Sequence, residues 1–310
     1  MWPTHFTELT RARLLAWLSD SEVAAAGAGA LRRSGHGPSA VAETLQSVTE
    51  APASTSRLVI LVENAKREAG LPAASTAVER WLLAHAAASM LSAARKPLLG
   101  QAVVERTCAD IARLLDDTWA TAERLRVTGI RFREFAKMAT GRRFSAGLFH
   151  WDVCGLSRSW LLKVPPRDVP GLVCALAKLR GLGPAMFPHL NPHRPPGHLA
   201  EPAISGALAA MAETLESRPD LHGLVAASWL RSPDVHRVSP HLAAVNAPIL
   251  AAGGFVTTLG SAPRDCGVFE HSRERVRLFR EGRFTPTIGL VIWSRADMLR
   301  WWRSCNVAAR

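Results

Sequence analysis

The sequence predicts a helical bundle over residues 1–145, followed by an α/β domain over 150–310 with a roughly five-stranded sheet, and three observations carry that prediction. Apolar residues recur at three- and four-residue steps through the first half. After the stretch GRRFSAGLFHWDVCG the period changes, and short apolar runs alternate with helical ones. With 310 residues and 48% hydrophobic content, the chain is long for one core and comfortable for two.

In the first half, Leu9, Leu14, Leu15 and Leu18 define one helical face, and GAGALRRSGHGPS reads as a flexible connection. TSRLVILVENAKREAG closes on Gly70, as a helix C-cap would. Thr76 and Glu79 stand at capping-box spacing ahead of WLLAHAAASMLSAARK, which Pro97 and Gly100 end. A long helix is expected over VVERTCADIARLLDDTWATAERLRV, so about four to six helices pack as a bundle. The Glu-x-x-His pairs of a di-metal bundle are missing, since Glu79 and His85 fall on different faces.

In the second half the expected strands are RSWLLKV, GPAMFPHL, LHGLVAASWL, GFVTTLG and TPTIGLVIW. Helical stretches lie around VPGLVCALAKLR, PAISGALAAMAETLES, PHLAAVNAPILAAG, HSRERVRLFREG and RADMLRWW. Ser239 before Pro240 makes a cap followed by an N1 proline, and Gly253–Gly254 ends the same helix.

Composition narrows the class. The net charge is +12, and 33 of the 38 basic residues are Arg, whose planar fork suits carboxylate or phosphate. An anionic small-molecule substrate is therefore expected, with nucleic acid as the second choice of partner. The chain opens without a signal-peptide pattern and no window approaches eighteen uninterrupted apolar residues, so a cytoplasmic protein with no membrane partner is expected. Five cysteines without a CxxC pair suggest neither a disulfide framework nor a zinc ribbon, and Cys266 alone sits in a loop where a reactive thiol would be accessible.

The densest set of reactive side chains is FPHLNPHRPPGH, Phe187 to His198, with three histidines among four prolines. Prolines fix φ and remove donors, which makes this a rigid loop following a strand. In an open α/β sheet ligands bind beyond the carboxyl ends of strands, so parallel strands would bring this loop together with RSPDVHRVSPH and SAPRDCG. The candidate acid–base or ligand groups are His189, His193, Asp234, His236 and His241. Arg231 and Arg264 are the candidate anion clamps, and Ser239, at a helix N-terminus, the candidate anion receiver. Neutral imidazoles on such loops could instead hold Zn²⁺ or a redox metal, although Pro192 removes the helical spacing between His189 and His193. No P-loop or G-x-G-x-x-G occurs, and Ser228 lacks the G-x-S-x-G elbow. The sequence names no cofactor and no oligomeric state.

The order strand LVAASWL, helix PHLAAVNAPILAAGG, strand FVTTLG, helix SRERVRLFREGRF, strand PTIGLVIW resembles the closing half of the GCN5-related N-acyltransferase fold. That resemblance implies acyl transfer, with a glycine-rich turn holding the acyl-CoA pyrophosphate; HRVSPHLAA stands there without a glycine, which implies a remodelled member. A different class of reading, a nucleic-acid-binding or adaptor protein, rests on Arg273, Arg277 and Arg280 along one helical face.

Overall fold

A computed structural model describes residues 4–35, 45, 55–73, 75–92, 99–115, 130–191, 199–263, 266–270 and 272–308. The chain divides into two compact units, Met1–Ser145 and Ala146–Arg310.

The first unit carries helices α1 (Thr4–Asp20), α2 (Glu22–Arg33), α3 (Thr55–Glu68), α4 (Ala77–Ser92), α5 (Gln101–Ala112) and α6 (Ile130–Ala139). Helix α4 is central, because its apolar residues run round the whole cylinder and pack against α1, α2, α3 and α6. Gly27 sets the α2–α4 approach: a Cβ there would stand 2.5 Å from the Ala77 carbonyl oxygen. Glu79 does not serve a capping box. Its carboxylate takes the Lys66 ammonium at 2.6 Å with both side chains buried, while Ser75 Oγ accepts from the Ala77 backbone N–H. Burial raises the Glu79 pKa, and the Lys66 hydrogen bond works against that rise. The helix expected after Gly100 ends at Ala112 in a 3-10 turn, Arg113–Leu115, and its remaining residues lie outside the described ones.

Strands β1 (Arg143–Ser145), β2 (Phe149–Cys154), β3 (Ala185–Leu190), β4 (Gly223–Ser228), β5 (Phe255–Ser261) and β6 (Thr287–Ser294) form one open mixed sheet in the order β1-β2-β3-β4-β6-β5. The sheet has six strands where about five were expected. RSWLLKV is not among them: Ser157 precedes a four-residue helix, α7 (Arg158–Leu161), and Pro165 and Pro166 begin the next turn. A short apolar run fits either state. PHLAAVNAPILAAG is likewise not one helix, but a 3-10 turn (Pro240–Val245) followed by α11 (Ala247–Ala251).

The strands are not all parallel. β2–β3, β4–β6 and β5–β6 are antiparallel, whereas β3–β4 is parallel, registering at Met186 with Leu224. Helix α9 (Glu201–Ser217) makes that parallel crossover. On one sheet face Ala185, Val225, Leu290 and Ile292 pack with Leu172, Ala175 and Leu179 of α8 (Val169–Leu179). On the other face, Met186, Leu224, Ala226, Val291 and Trp293 are buried, and α9 packs with α13 (Arg295–Ala308). Two shorter helices complete the unit, α10 (Pro233–Val238) and α12 (Arg273–Arg280). Gly289 on β6 lets the 229–232 turn cross closely, since a Cβ there would fall 2.3 Å from the Arg231 carbonyl carbon and oxygen.

Candidate functional site

Among the described candidate residues, His189 is the one that stands beside a carboxylate at a strand end. It lies near the end of β3, opposite His150 of β2, and Asp152 of β2 is its diagonal neighbour on the same face. His189 Nε2 stands 3.2 Å from Asp152 Oδ2, with the two side chains 36% and 14% exposed. The contact is off hydrogen-bond alignment, so it is one of charge and proximity. A carboxylate accepts and does not donate, which favours the tautomer with hydrogen on Nε2 and leaves the Nδ1 lone pair for another partner. The ring is braced by Phe187 at 4.9 Å, itself 5.7 Å from Trp160 of α7. Counting three residues on from the register pair Met186–Leu224 puts His189 level with Ala227 on β4, beyond the point where β3 and β4 are paired.

The second cluster of candidates is folded into its own backbone. Arg231 is 2% exposed; its Nη1 donates to the Val245 carbonyl at 2.6 Å and to Asn246 Oδ1 at 3.2 Å, and its guanidinium lies over the Phe149 ring. Asn246 Nδ2 donates back to the Arg231 carbonyl at 2.9 Å. Burial pulls the Arg231 pKa down to about 9, still on the charged side of neutral. Asp234 accepts from the Thr287 hydroxyl at 2.8 Å and from Arg237, while Ser232 caps α10 through the Asp234 N–H. His236 Nε2 meets the Leu230 carbonyl at 2.8 Å, and since a carbonyl only accepts, Nε2 is the donor. Burial, the largest cause, lowers the His236 pKa; the Leu230 bond opposes the shift and Arg231 adds to it. Ser239 Oγ accepts from Arg275 Nη1 at 3.0 Å, so the hydroxyl at this proline-led turn is already engaged. His241 is exposed.

Among the described residues no hydrogen bond or ion pair joins His189 to Asp234, His236 or Ser239. His193 and Arg264 lie outside the described residues. Among the described residues no group of three or more His, Cys, Asp and Glu is placed to hold a metal ion. Cys266 is half-buried and free. No described helix is long and apolar enough to cross a membrane.

Asp152 was not among the sequence candidates. Its signal was the alternation His150, Asp152, Cys154 against Trp151 and Val153, a period of two that marks a strand and puts Asp152 on the His150 face. No family model matches the chain, and no curated protein or solved structure is significantly similar to it.

Proposed function

We propose that the second unit is a group-transfer enzyme of the cytoplasm that moves an acyl group from an anionic carrier such as an acyl-CoA to an amine or hydroxyl. The observation that carries this reading is the Asp152–His189 pair at the unpaired end of the one parallel strand pair. Beyond Met186 and Leu224 the facing backbone edges of β3 and β4 are free of mutual register, which suits an amide-bearing linear carrier that needs backbone partners. The resemblance of the closing elements to the GCN5-related N-acyltransferases points the same way.

In the proposed reaction His189 Nδ1 takes the proton of the acceptor while the acceptor attacks the thioester carbonyl. Collapse of the tetrahedral adduct breaks the C–S bond, and the leaving thiolate takes up a proton, so acceptor and thioester give acylated acceptor and free thiol. Asp152, near Nε2 without a formed hydrogen bond, stands where its charge would stabilise the imidazolium as it forms. The braced rings of Phe187 and Trp160 exclude water from one side of the histidine.

Calorimetric titration with acetyl-CoA and coenzyme A, paired with a thiol-release assay over a panel of amines, tests the reading. His189→Ala is expected to lower turnover by about 10²–10⁴-fold at unchanged carrier affinity. Carrier binding weaker than about 1 mM, or thiol release indifferent to His189→Ala, would reject it.

A further inference from the structure

We infer a second ligand site in the second unit: the groove along α12 binds the phosphate groups of a nucleotide, free or within a single strand. The inference does not rest on the group-transfer reading.

The helix sequence RERVRLFR puts Arg273, Arg277 and Arg280 on one face at steps of four and three, while Arg275 and Leu278 face inward. A groove of about 860 Å³ runs along that face, lined by Phe269, Arg273, Val276, Arg277, Arg280 and Glu281. Its size lies within the range of small-molecule sites.

The charges on this face are unequally spent. Arg277 is tied to Glu274 through two hydrogen bonds, at 2.9 and 2.7 Å, and to Glu281 at 2.7 Å; Glu281 also takes Arg283 at 3.2 Å. Two guanidiniums and two carboxylates thus cancel. Arg273 and Arg280 are exposed and have no hydrogen bond or ion pair among the described residues. They stand seven residues apart, about 10 Å along the helix, one on each side of Val276.

The apolar floor is held in place from below. The buried Arg275 donates to the carbonyls of Val268 at 2.6 Å and Glu270 at 3.1 Å, the two residues that flank Phe269. Phe269 also packs on Phe279, with ring centroids 4.8 Å apart. Two guanidinium forks with no partner among the described residues, beside a fixed aromatic ring, suit a ligand with phosphates and a flat base. A carboxylate-bearing peptide would satisfy the forks alone. The net charge of +12 draws such polyanions at long range.

The test titrates the full chain with three probes, inorganic phosphate, ATP and a fluorescein-labelled oligothymidylate, over a range of salt. Arg273→Gln and Arg280→Gln are each expected to weaken the two nucleotide probes severalfold, and to reduce the log–log salt slope for the oligonucleotide by about 0.7. Phe269→Ala should weaken ATP and oligothymidylate while leaving phosphate unchanged. Arg303→Gln removes the same charge from an exposed residue already paired with Glu216, and should leave all three within twofold. ATP bound as tightly as the strand assigns the groove to free nucleotides, and a tighter strand assigns it to single-stranded nucleic acid. Three results overturn the inference: no binding of any probe, binding of phosphate alone as an adventitious ion only, or an Arg303→Gln loss equal to that of the groove variants.

Discussion

Residues 229–246 and the β2–β3 end of the sheet both carry the residue types that do chemistry, and they use them in opposite ways. In the first region Arg231, Asp234, His236 and Ser239 each meet a partner from their own unit: a carbonyl, a hydroxyl or another guanidinium. In the second, Asp152 faces His189 Nε2, and the other imidazole nitrogen carries no hydrogen bond among the described residues. A side chain whose bonding capacity is consumed holds a turn, whereas one with a nitrogen to spare can take a proton. Residue type is shared by both regions, and unspent capacity separates them.

The sharpest way to break this contrast is Arg231→Ala. It leaves the Val245 carbonyl and Asn246 Oδ1 without their donor and opens a void under Phe149, so a loss of about 3 kcal/mol is expected in urea unfolding. A loss below about 1 kcal/mol would free Arg231 for the anion-binding role. Gly289→Ala drives a methyl into the Arg231 backbone and should cost about 2 kcal/mol in the same measurement. Asp234→Ala removes the acceptor for Thr287 and Arg237, with about 1 kcal/mol expected from the thermal midpoint.

A fourth outcome is one of pH. Burial holds the His236 pKa below the ordinary histidine value of 6.5, so the unfolded chain takes up the proton first as pH falls. The His236 contribution is complete above pH 6.5 and is lost as pH drops toward and through the folded value. Chemical denaturation from pH 8 to 5 should show this decline, and His236→Gln should flatten it; an unchanged slope would place the titrating group elsewhere. The smallest effect sharpens the contrast from the other side. His189→Ala should change stability by under about 0.5 kcal/mol, because its Nε2 contact is not a formed hydrogen bond.

Strands β3 to β6 were legible because GPAMFPHL, LHGLVAASWL, GFVTTLG and TPTIGLVIW are apolar runs bounded by turn residues. The β1–β2 hairpin was not, since His150 and Asp152 dilute its apolar content and only the alternation survives as a signal. Nothing local in the sequence states whether neighbouring strands run together or oppose, and the expected convergence of loops depended on their running together. β6 lies between β4 and β5 and opposes both, so β5 runs with β4 and therefore with β3, and these three strands end at the same edge of the sheet. What keeps the loop after β4 out of a shared site is that Arg231, Asp234, His236 and Ser239 are engaged within their own unit. His189 was legible from residue type and a strand end, while its carboxylate came from a strand the apolar pattern did not reveal.

The single register between β3 and β4 also governs how this unit would come apart. β4 and β6 share six consecutive positions, Gly223 with Ser294 through Ser228 with Gly289, and β2 and β3 share six more. Met186 with Leu224 is the one registered strand position between the β2–β3 ribbon and the β4–β6–β5 ribbon, preceded by a backbone hydrogen bond from the His222 N–H to the Pro184 carbonyl at 2.8 Å. Amide hydrogens along that seam should exchange with solvent earlier than those within either ribbon. A chain pulled from its ends should part there first, with each ribbon leaving the seam as an intact piece.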